Sequence, residues 1–365
     1  MQMIIGFVGS FALLWLVSLG LALEENDSCT NPAGKSGQCI SFRECDPILK
    51  IYNKAIVSPD ETAFVNQSQC GWTADKRALV CCAVSADNQR LHYRKETLPK
   101  PPLCGSDFSD RLFGGQRTAL DEFPWAALIE YRKPNGKTGF NCGATLISSR
   151  YAVTAAHCLT AIPHGWQAIG VRLGEWDLEN EIDCMDGDCA DAPVNMGLEK
   201  IIVHEDYDAE NKSHYHDIAL IRFTRDVNVT SFISPVCLPI DDKQRTRDNV
   251  GTKGWAVGWG KTETGSASNI KLKVELTFKD FQSCSDVYRS AAGVILQDKQ
   301  MCAGGVRSQD TCSGDSGGSL TKLDRANHFM YGIVSFGPRQ CGTDGIPGVY
   351  TNVAKYVDWI EGKLE

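Results

Sequence analysis

The chain has 365 residues, of which 42% are hydrophobic and 22% are charged, so it is long enough for more than one folded domain and does not read as disordered. Its formal net charge is -8 at pH 7, and no local basic patch stands out. Nucleic acid is therefore not an expected partner.

An apolar segment without a charge spans residues 4–23. Gly20-Leu21-Ala22 places small residues at the spacing of a signal-peptidase site, so we expect residues 1–22 to be a signal peptide that is cleaved after Ala22. The expected product is secreted and carries no membrane segment. No Lys or Arg precedes the apolar run, and its length would also span a bilayer, so an uncleaved anchor is the alternative.

All sixteen cysteines follow this segment, and a large even number is typical of a disulfide framework formed in an oxidising compartment. Four Asn-x-Ser/Thr triplets predict N-glycosylation, although each is a weak signal alone. They begin at Asn26, Asn66, Asn211 and Asn228.

Residues 28–83 form the first predicted domain. They contain six cysteines and few long apolar runs, so burial alone would not stabilise them and disulfides are expected. The spacing does not choose among the 15 possible pairings. Zinc is not favoured, because the segment has neither a C-x-x-C pair nor a histidine.

Residues 84–111 mix charges with three prolines and predict a stiff, exposed linker. Exposed connectors are common sites of proteolysis.

Residues 112–365 show short apolar or alternating runs, such as "WAALIEY" and "YGIVS", separated by Gly, Pro, Asn and Asp. This pattern predicts an all-β barrel or sandwich. Near the end, Val353, Val357 and Ile360 recur at helical spacing and predict a C-terminal helix.

Three polar residues stand beside strand-like runs: His157 in "VTAAHC", Asp217 in "HDIALIRF" and Ser316 in "GDSGG". A serine nucleophile needs a base to take its proton and a carboxylate to orient that base. Alone, each residue is more often a core histidine, a capping aspartate or a turn serine. Together, and in this order, they predict nucleophilic catalysis.

Residues 112–365 resemble the trypsin-like serine proteases, on "TAAHC", "DIAL" and "GDSGG" in the family's order and on "PVCLP", "GWG" and "PGVYTNV" at the expected intervals. The resemblance implies two six-stranded antiparallel β-barrels and a C-terminal helix. It also implies that His157 is the general base, Asp217 orients it, and Ser316 is the nucleophile. The oxyanion hole would be the backbone N–H groups of Gly314 and Ser316.

The same resemblance places Asp310 at the base of the specificity pocket and makes Gly337 and Gly348 its walls. A buried carboxylate there would pair with a basic side chain, so cleavage after Arg or Lys is expected. A solvated loop aspartate is the alternative.

Trypsin-like enzymes become active when a cut frees an ammonium terminus that inserts beside the aspartate preceding the serine, here Asp315. The matching cut is Arg111-Leu112 in "DRLFGGQ". Leu112-Phe113 replaces the usual Ile-Val, and the similar volumes of Leu and Ile suggest that insertion survives.

Residues 28–83 resemble a clip domain in cysteine spacing, in the adjacent Cys81-Cys82, and in lying before a trypsin-like domain. The two resemblances together imply a complete set of eight disulfides. The implied pairs are Cys29–Cys81, Cys39–Cys70, Cys45–Cys82, Cys104–Cys237, Cys142–Cys158, Cys184–Cys189, Cys284–Cys302 and Cys312–Cys341. Of these, Cys104–Cys237 would keep the linker attached after the activating cut.

Carboxylates are concentrated in "EWDLENEIDCMDGDCAD", residues 175–191. Clustered oxygen ligands suit calcium, and Glu175 is the best candidate, but a solvated surface is the equal alternative. No cofactor is expected for catalysis.

The resemblance implies a secreted zymogen endopeptidase of an arthropod haemolymph cascade in innate immunity. Its expected partners are protein substrates, an upstream activating protease and serpin inhibitors. The substrate would be prophenoloxidase in melanisation, a Toll-pathway cytokine precursor or a downstream zymogen. The alternatives are a catalytically silent clip homologue, which the intact triad opposes, and a digestive trypsin, which needs no clip domain.

Overall fold

A computed structural model describes most of the chain. The described residues are 27–42, 45, 47–48, 51, 57–72, 78–83, 96–106, 117–185, 187–261, 267–307, 310–338 and 340–365. The expected signal peptide, Asn26 and the Arg111-Leu112 bond lie outside them. The chain divides into two compact units, residues 1–94 and 95–365. Within the described ranges, no helix has the length and apolarity needed to cross a membrane.

The described part of the first unit contains a small antiparallel sheet, the helix Pro59–Gln67 and three disulfides. Its strands, in the sheet order β1-β2-β4-β3, are β1 (Ser28–Thr30), β2 (Ser36–Ser41), β4 (Ala78–Ala83) and β3 (Gln69–Trp72). The helix Pro59–Gln67 begins after Ser58, whose hydroxyl accepts a hydrogen bond from the Glu61 N–H while the Glu61 carboxylate accepts one from the Ser58 N–H. Among the residues described in this unit, only four form its buried cluster, and two of these are disulfide-bonded cysteines, so the bridges supply much of its stability.

The second unit contains two closed six-stranded barrels. The first barrel consists of β5 (Ala126–Arg132), β6 (Thr138–Leu146), β7 (Tyr151–Thr154), β8 (Gln167–Leu173), β11 (Val194–Val203) and β12 (Ala219–Phe223). The second consists of β13 (Lys253–Gly258), β14 (Leu272–Lys279), β15 (Gln300–Ala303), β16 (Ser319–Asp324), β17 (Asn327–Phe336) and β18 (Gly348–Asn352). All neighbouring strands are antiparallel, which confirms the predicted fold class.

Apolar, β-branched side chains explain why these runs form strands, since they fill a closed interior. β7 is buried along its whole length, and β17 is buried at eight of its ten residues. The remaining elements described in the second unit are a two-stranded ribbon, four α-helices and a 3₁₀ turn. They are β9 (Cys184–Met185), β10 (Asp188–Cys189), His157–Thr160, Asp242–Arg245, Phe281–Ala292, Val353–Lys355 and Val357–Lys363. The last two correspond to the predicted C-terminal helix.

Part of the predicted linker belongs to the second unit. Leu98 joins the buried core of the barrels, and the Gly105 N–H donates to the Pro235 carbonyl. Cys104 is fully buried and bonded to Cys237. Residues 96–106 are therefore anchored to the second unit at Leu98 and Cys104, while Thr97 and residues 100–103 are exposed, as expected of a connector.

The structure contains the eight disulfides that the resemblances imply, and no cysteine is free. They join Cys29 to Cys81, Cys39 to Cys70, Cys45 to Cys82, Cys104 to Cys237, Cys142 to Cys158, Cys184 to Cys189, Cys284 to Cys302 and Cys312 to Cys341. Such a complete framework is typical of an oxidising compartment.

Candidate active site

Two paired strands bring the candidate base and its carboxylate together. His157 begins a short helix three residues after β7, and Asp217 lies two residues before β12. These strands are hydrogen-bonded neighbours in which Thr154 faces Ala219. The strand pairing thus brings together two residues that are sixty positions apart in the sequence.

The carboxylate of Asp217 holds His157 by two hydrogen bonds. One oxygen lies 2.8 Å from His157 Nδ1, and the other accepts the backbone N–H of His157 at 2.9 Å. Asp217 is fully buried, so the pair is shielded from solvent. This fixes Nδ1 as the donor and leaves Nε2 as the basic nitrogen.

The second barrel also supports Asp217, through two residues that sequence reasoning missed. The Ser335 hydroxyl donates to the Asp217 carboxylate at 2.5 Å, and the Thr351 hydroxyl donates to its backbone carbonyl at 2.7 Å. Both lie on strands buried among apolar residues. A polar residue inside such a run was the signal that could have found them, since buried hydroxyls need partners.

The electrostatics of this pair suit a general base. Burial would lower the pKa of His157, but the charge of Asp217 and the hydrogen bond to it outweigh burial and raise that pKa. Burial would raise the pKa of Asp217, but the facing imidazole, its hydrogen bond and the Ser335 donor keep that pKa low. A negative carboxylate therefore faces an imidazole whose positive form it stabilises.

Ser316 lies in the loop between β15 and β16, where it meets the first barrel. The Gly143 N–H donates to the Ser316 carbonyl at 2.8 Å. The sulfur of Cys158 lies 3.6 Å from that carbonyl and 3.7 Å from His157 Nε2, so the serine loop and the base flank one disulfide. No hydrogen bond joins the Ser316 hydroxyl to His157 among the described residues. In serine enzymes such bonds often tighten only when substrate binds.

Two backbone donors of the serine loop have no partner within the described residues: the N–H groups of Gly314 and Ser316. The neighbouring N–H groups are used, since Asp315 donates to the Cys312 carbonyl and Gly317 to the Val334 carbonyl. Gly314 has a φ of 104°, a conformation that glycine adopts readily. Unused N–H groups beside the nucleophile are what an oxyanion hole requires.

Asp310 presents an unsatisfied carboxylate oxygen. One oxygen accepts the Thr311 N–H at 2.9 Å, whereas the other is buried and has no hydrogen-bond partner that meets the distance and angle limits among the described residues, although the Gly342 N–H is near enough to lower the pKa of this carboxyl. Burial raises the pKa of Asp310 to about 7. A buried, half-satisfied carboxylate would gain most from a cationic partner.

The walls beside Asp310 are open where the sequence predicts. A Cβ added at Gly348 would lie 3.1 Å from an Asp310 oxygen, so any side chain there would fill the space above the carboxylate. A Cβ at Gly337 would meet no atom closer than 3.9 Å. The two glycines thus leave room for a long side chain.

Comparison with known proteins agrees with this geometry. The model described as "Trypsin" matches residues 112–360, and the "Regulatory CLIP domain of proteinases" matches residues 29–82. CLIP domain-containing serine protease B4 of Anopheles gambiae is 52% identical, covering 94% of this chain and 94% of its own. Phenoloxidase-activating factor 1 of Holotrichia diomphalia is 39% identical, covering 97% and 98%. The crystal structure of the Drosophila Grass clip serine protease of the Toll pathway has a TM-score of 0.63 at 34% identity, covering 93% of this chain and 97% of that chain.

The chain belongs to the clip-domain, trypsin-like serine proteases of insects. Relatives named for phenoloxidase activation and for the Toll pathway are both among its matches. Trypsin-like proteases need no cofactor for catalysis.

In this clip protease, Asp315 is half-buried beside the proposed nucleophile. Its carboxylate accepts the Gly260 N–H at 2.8 Å and the Cys312 N–H at 3.0 Å, and burial raises its pKa to about 6. A Cβ on Gly260 would lie 2.4 Å from the carboxylate, which explains the second glycine of "GWG". No cation pairs with Asp315 among the described residues.

A small cavity, with room for about one water molecule, adjoins Asp315. Its lining is mainly apolar and includes Ala126, Leu128 and Val257. The hydroxyl of Ser319, which also lines it, is buried without a hydrogen-bond partner. The cavity therefore offers one carboxylate and one unpaired hydroxyl within apolar walls.

The residues around Glu175 do not fit the expected calcium site. One Glu175 oxygen accepts a hydrogen bond from Arg172 Nη1 at 3.1 Å, and the other accepts the Trp176 N–H at 3.0 Å. Calcium needs six to eight oxygen ligands, and here a guanidinium already supplies the positive charge beside the buried carboxylate. No metal-binding cluster found among the described residues includes Glu175. Calcium remains a prediction without structural support.

The glycosylation sites within the described residues differ in exposure. Asn66, on the helix of the first unit, and Asn228 are exposed, whereas Asn211 is half-buried. The Asn211 side-chain oxygen also accepts the Ser213 N–H at 2.9 Å. Asn66 and Asn228 are the more accessible candidates.

Proposed function

We propose that the protein is a secreted zymogen that, once cut between Arg111 and Leu112, hydrolyses peptide bonds after Arg or Lys in an extracellular cascade of insect innate immunity. The observation that carries this proposal is the convergence of a buried Asp217–His157 pair, two unused N–H donors beside Ser316, and a buried carboxylate oxygen of Asp310 without a partner.

In the proposed mechanism, the Ser316 hydroxyl attacks the substrate carbonyl carbon and gives its proton to His157 Nε2. The negative charge that forms on the carbonyl oxygen is stabilised by the N–H groups of Gly314 and Ser316. His157 then protonates the leaving amine, and the C–N bond breaks to leave an acyl-enzyme. Water repeats the sequence on the acyl group, and Asp217 stabilises the imidazolium in both halves.

Asp310 supplies the proposed specificity. An arginine guanidinium in the pocket would satisfy its buried free oxygen, which a neutral side chain cannot do. Cleavage after acidic or aromatic residues would leave that oxygen unpaired and is disfavoured for the same reason.

Asp315 and its cavity support the proposed activation. The cut would free the ammonium group of Leu112, and a buried carboxylate is the partner that a buried ammonium requires. The apolar walls of the small cavity would have to move apart to receive the leucine side chain. The Cys104–Cys237 disulfide would keep the upstream segment attached to the protease.

The place in a cascade is proposed from the clip domain and from relatives. The arginine before the cut indicates an upstream protease of basic specificity. Matches named "Melanization protease 1" and "Phenoloxidase-activating factor 1" favour prophenoloxidase, a cytokine precursor or another clip zymogen as substrate. Serpins are the proposed inhibitors.

The test uses purified full-length zymogen. After cleavage at Arg111, we expect hydrolysis of arginyl and lysyl peptides but not of the matched phenylalanyl peptide, together with titration of one serine per chain by a phosphonate. Arg111→Gln should remain inactive when treated with the same activating protease, and Ser316→Ala should be cut yet inactive. An uncut zymogen with full activity, or a cut enzyme that does not react with the phosphonate, would contradict the proposal.

The substrate is decided by a second experiment. The cut enzyme and the cut Ser316→Ala variant are each incubated with prophenoloxidase, with a clip-protease zymogen and with a Toll-ligand precursor. The proposal expects cleavage of at least one of them after Arg or Lys, by the wild type alone. Cleavage of none would contradict the cascade role while leaving the peptidase activity intact.

A further inference from the structure

Behind the catalytic aspartate, three potential metal ligands lie together: His204, Asp206 and His216. One ligand atom from each lies within 4.8 Å of the other two. Two imidazoles and a carboxylate form a donor set that zinc and other late divalent transition metals prefer. The proteolytic mechanism uses none of the three.

We propose that His204, His216 and Asp206 bind Zn²⁺ and that binding inhibits the protease. The inhibitory half rests on the proposed proteolytic function, whereas the binding half does not.

The two imidazoles are held close together by their surroundings. The His204 ring stacks on that of His216, with centroids 4.6 Å apart, and on that of Trp359, with centroids 5.0 Å apart. His216 Nδ1 lies 3.1 Å from the hydroxyl of Tyr356, which is almost fully buried. Such a partner on the other ring nitrogen is what orients a metal-binding histidine.

Each imidazole has nitrogen capacity left for a metal. No hydrogen bond to Nε2 of His204 or His216 occurs within the described residues. His204 Nδ1 accepts the Asp206 N–H at 3.2 Å, a long hydrogen bond that metal binding would replace.

Asp206 is the available carboxylate. Its neighbour Glu205 is engaged by Lys363 and by the Trp359 indole N–H. Asp206 is exposed and forms no ion pair with any described residue. Since every cysteine is in a disulfide, no thiolate competes for the metal.

The same geometry couples the site to catalysis. Tetrahedral zinc requires donor atoms about 3.3 Å apart, so donors now up to 4.8 Å apart must close by as much as about 1.5 Å. His216 directly precedes Asp217 and has a φ of 57°, an uncommon conformation for a residue other than glycine. Drawing His216 toward the metal shifts the backbone that positions the Asp217 carboxylate against His157.

Zinc binding is measured on the full-length Ser316→Ala zymogen, by competition with a zinc-binding dye. We expect His204→Asn, His216→Asn and Asp206→Asn each to weaken binding at least about tenfold. The matched control is His164→Asn, because His164 is exposed and lies outside the cluster. Calcium should not compete, since it prefers oxygen ligands.

A second histidine pair provides the decisive comparison. His157 and His214 have ring centroids 6.0 Å apart and form another group with Asp217. The His214→Asn variant should bind zinc as the parent protein does. The proposal is overturned if His214→Asn abolishes binding, or if the three cluster variants bind zinc like the parent. Should a histidine variant fail to fold, the exposed Asp206→Asn still decides.

Inhibition is measured on the cut wild-type enzyme with an arginyl peptide. We expect zinc to lower kcat, with half of the effect reached near the Kd that the dye measures. Asp206→Asn should raise the inhibition midpoint and the Kd by the same factor. Unchanged kcat at zinc saturation would overturn the inhibitory half. An enzyme that is inactive without zinc would instead contradict the proposed function, and the dye measurement would still decide binding.

Discussion

In the first barrel, both oxygens of Asp217 are hydrogen-bonded and the basic nitrogen of His157 is already oriented. In the second barrel, Asp310 has a buried oxygen without a partner, and Asp315 has backbone donors but no described cation. The first barrel thus holds the Asp217–His157 pair with its hydrogen bonds already formed. The second barrel holds two carboxylates that each lack a positively charged partner among the described residues.

The difference indicates where control is exerted. The Asp217–His157 pair needs only substrate to act, so it offers little opportunity to regulate activity. A buried carboxylate without a cation changes its surroundings when a cation arrives. We infer that one cation comes from the substrate, at Asp310, and the other from the enzyme's own new terminus, at Asp315.

The largest effect is expected when the Asp217–His157 pair is disrupted. Asp217→Asn should lower kcat/KM by about 10⁴-fold, because an amide cannot hold the His157 tautomer that leaves Nε2 basic. Steady-state hydrolysis of an arginyl peptide by the cut enzyme measures the loss. Asp226→Asn, a change at an exposed carboxylate on the same barrel, is the control. A loss of less than tenfold would mean that the pair is not the catalytic base.

The second-largest effect is expected when Asp315, the proposed partner of the new terminus, is replaced while the Asp217–His157 pair stays intact. In the cut enzyme, Asp315→Asn should lower kcat/KM by about 10²- to 10³-fold, since the new ammonium loses about 3–5 kcal/mol of pairing. The low-field NMR signal of the proton between His157 and Asp217 should persist, because the first barrel supplies that bond. Loss of this signal would show that the two barrels are not independent in this respect.

The third prediction concerns the protonation of Asp310 in the proposed specificity pocket. Because the pKa of Asp310 is raised to about 7, the free enzyme loses this charge as the pH falls below that value. Affinity for benzamidine, a small arginine mimic, should therefore weaken with falling pH, approaching tenfold per pH unit well below about pH 7. Inhibition constants across this range provide the measurement. The Asp310→Ser variant should bind weakly at every pH, and a parallel slope in that variant would assign the titration to another group.

The smallest effect concerns stability. Arg172→Met should lower the free energy of unfolding by about 1–3 kcal/mol, because it leaves Glu175 buried with one backbone donor. The loss should be smaller near about pH 5, where the carboxyl can protonate, than near about pH 8. Urea unfolding of this variant and of the exposed control Arg225→Met provides the comparison. Calcium chelation should leave the wild-type Tm unchanged, and a lower Tm would restore calcium as a ligand of Glu175.

The sequence predicted what short motifs and family order encode. The barrels and the proposed His157, Asp217 and Ser316 positions followed from local strings in the order of the family, whereas the cysteine pairs came only from the family resemblances. The contact of Ser335 with Asp217 was not predictable, because it joins residues more than a hundred positions apart: a serine within an apolar run indicates a buried hydroxyl but does not identify its partner. The calcium expectation failed to find support for a similar reason: an acidic run does not reveal that Arg172 faces Glu175.

The hydrogen bond from Gly143 to the Ser316 carbonyl has a further consequence. Next to it, a Cβ on Gly317 would lie 2.2 Å from the Thr154 hydroxyl, so the first barrel touches the serine loop with no spare room. A small displacement of one barrel relative to the other therefore moves Ser316 before it disturbs the packing of either core. Mild heating or low denaturant should therefore silence the enzyme while both barrels are still folded, which would make its own activity the most sensitive reporter of how the two halves are aligned.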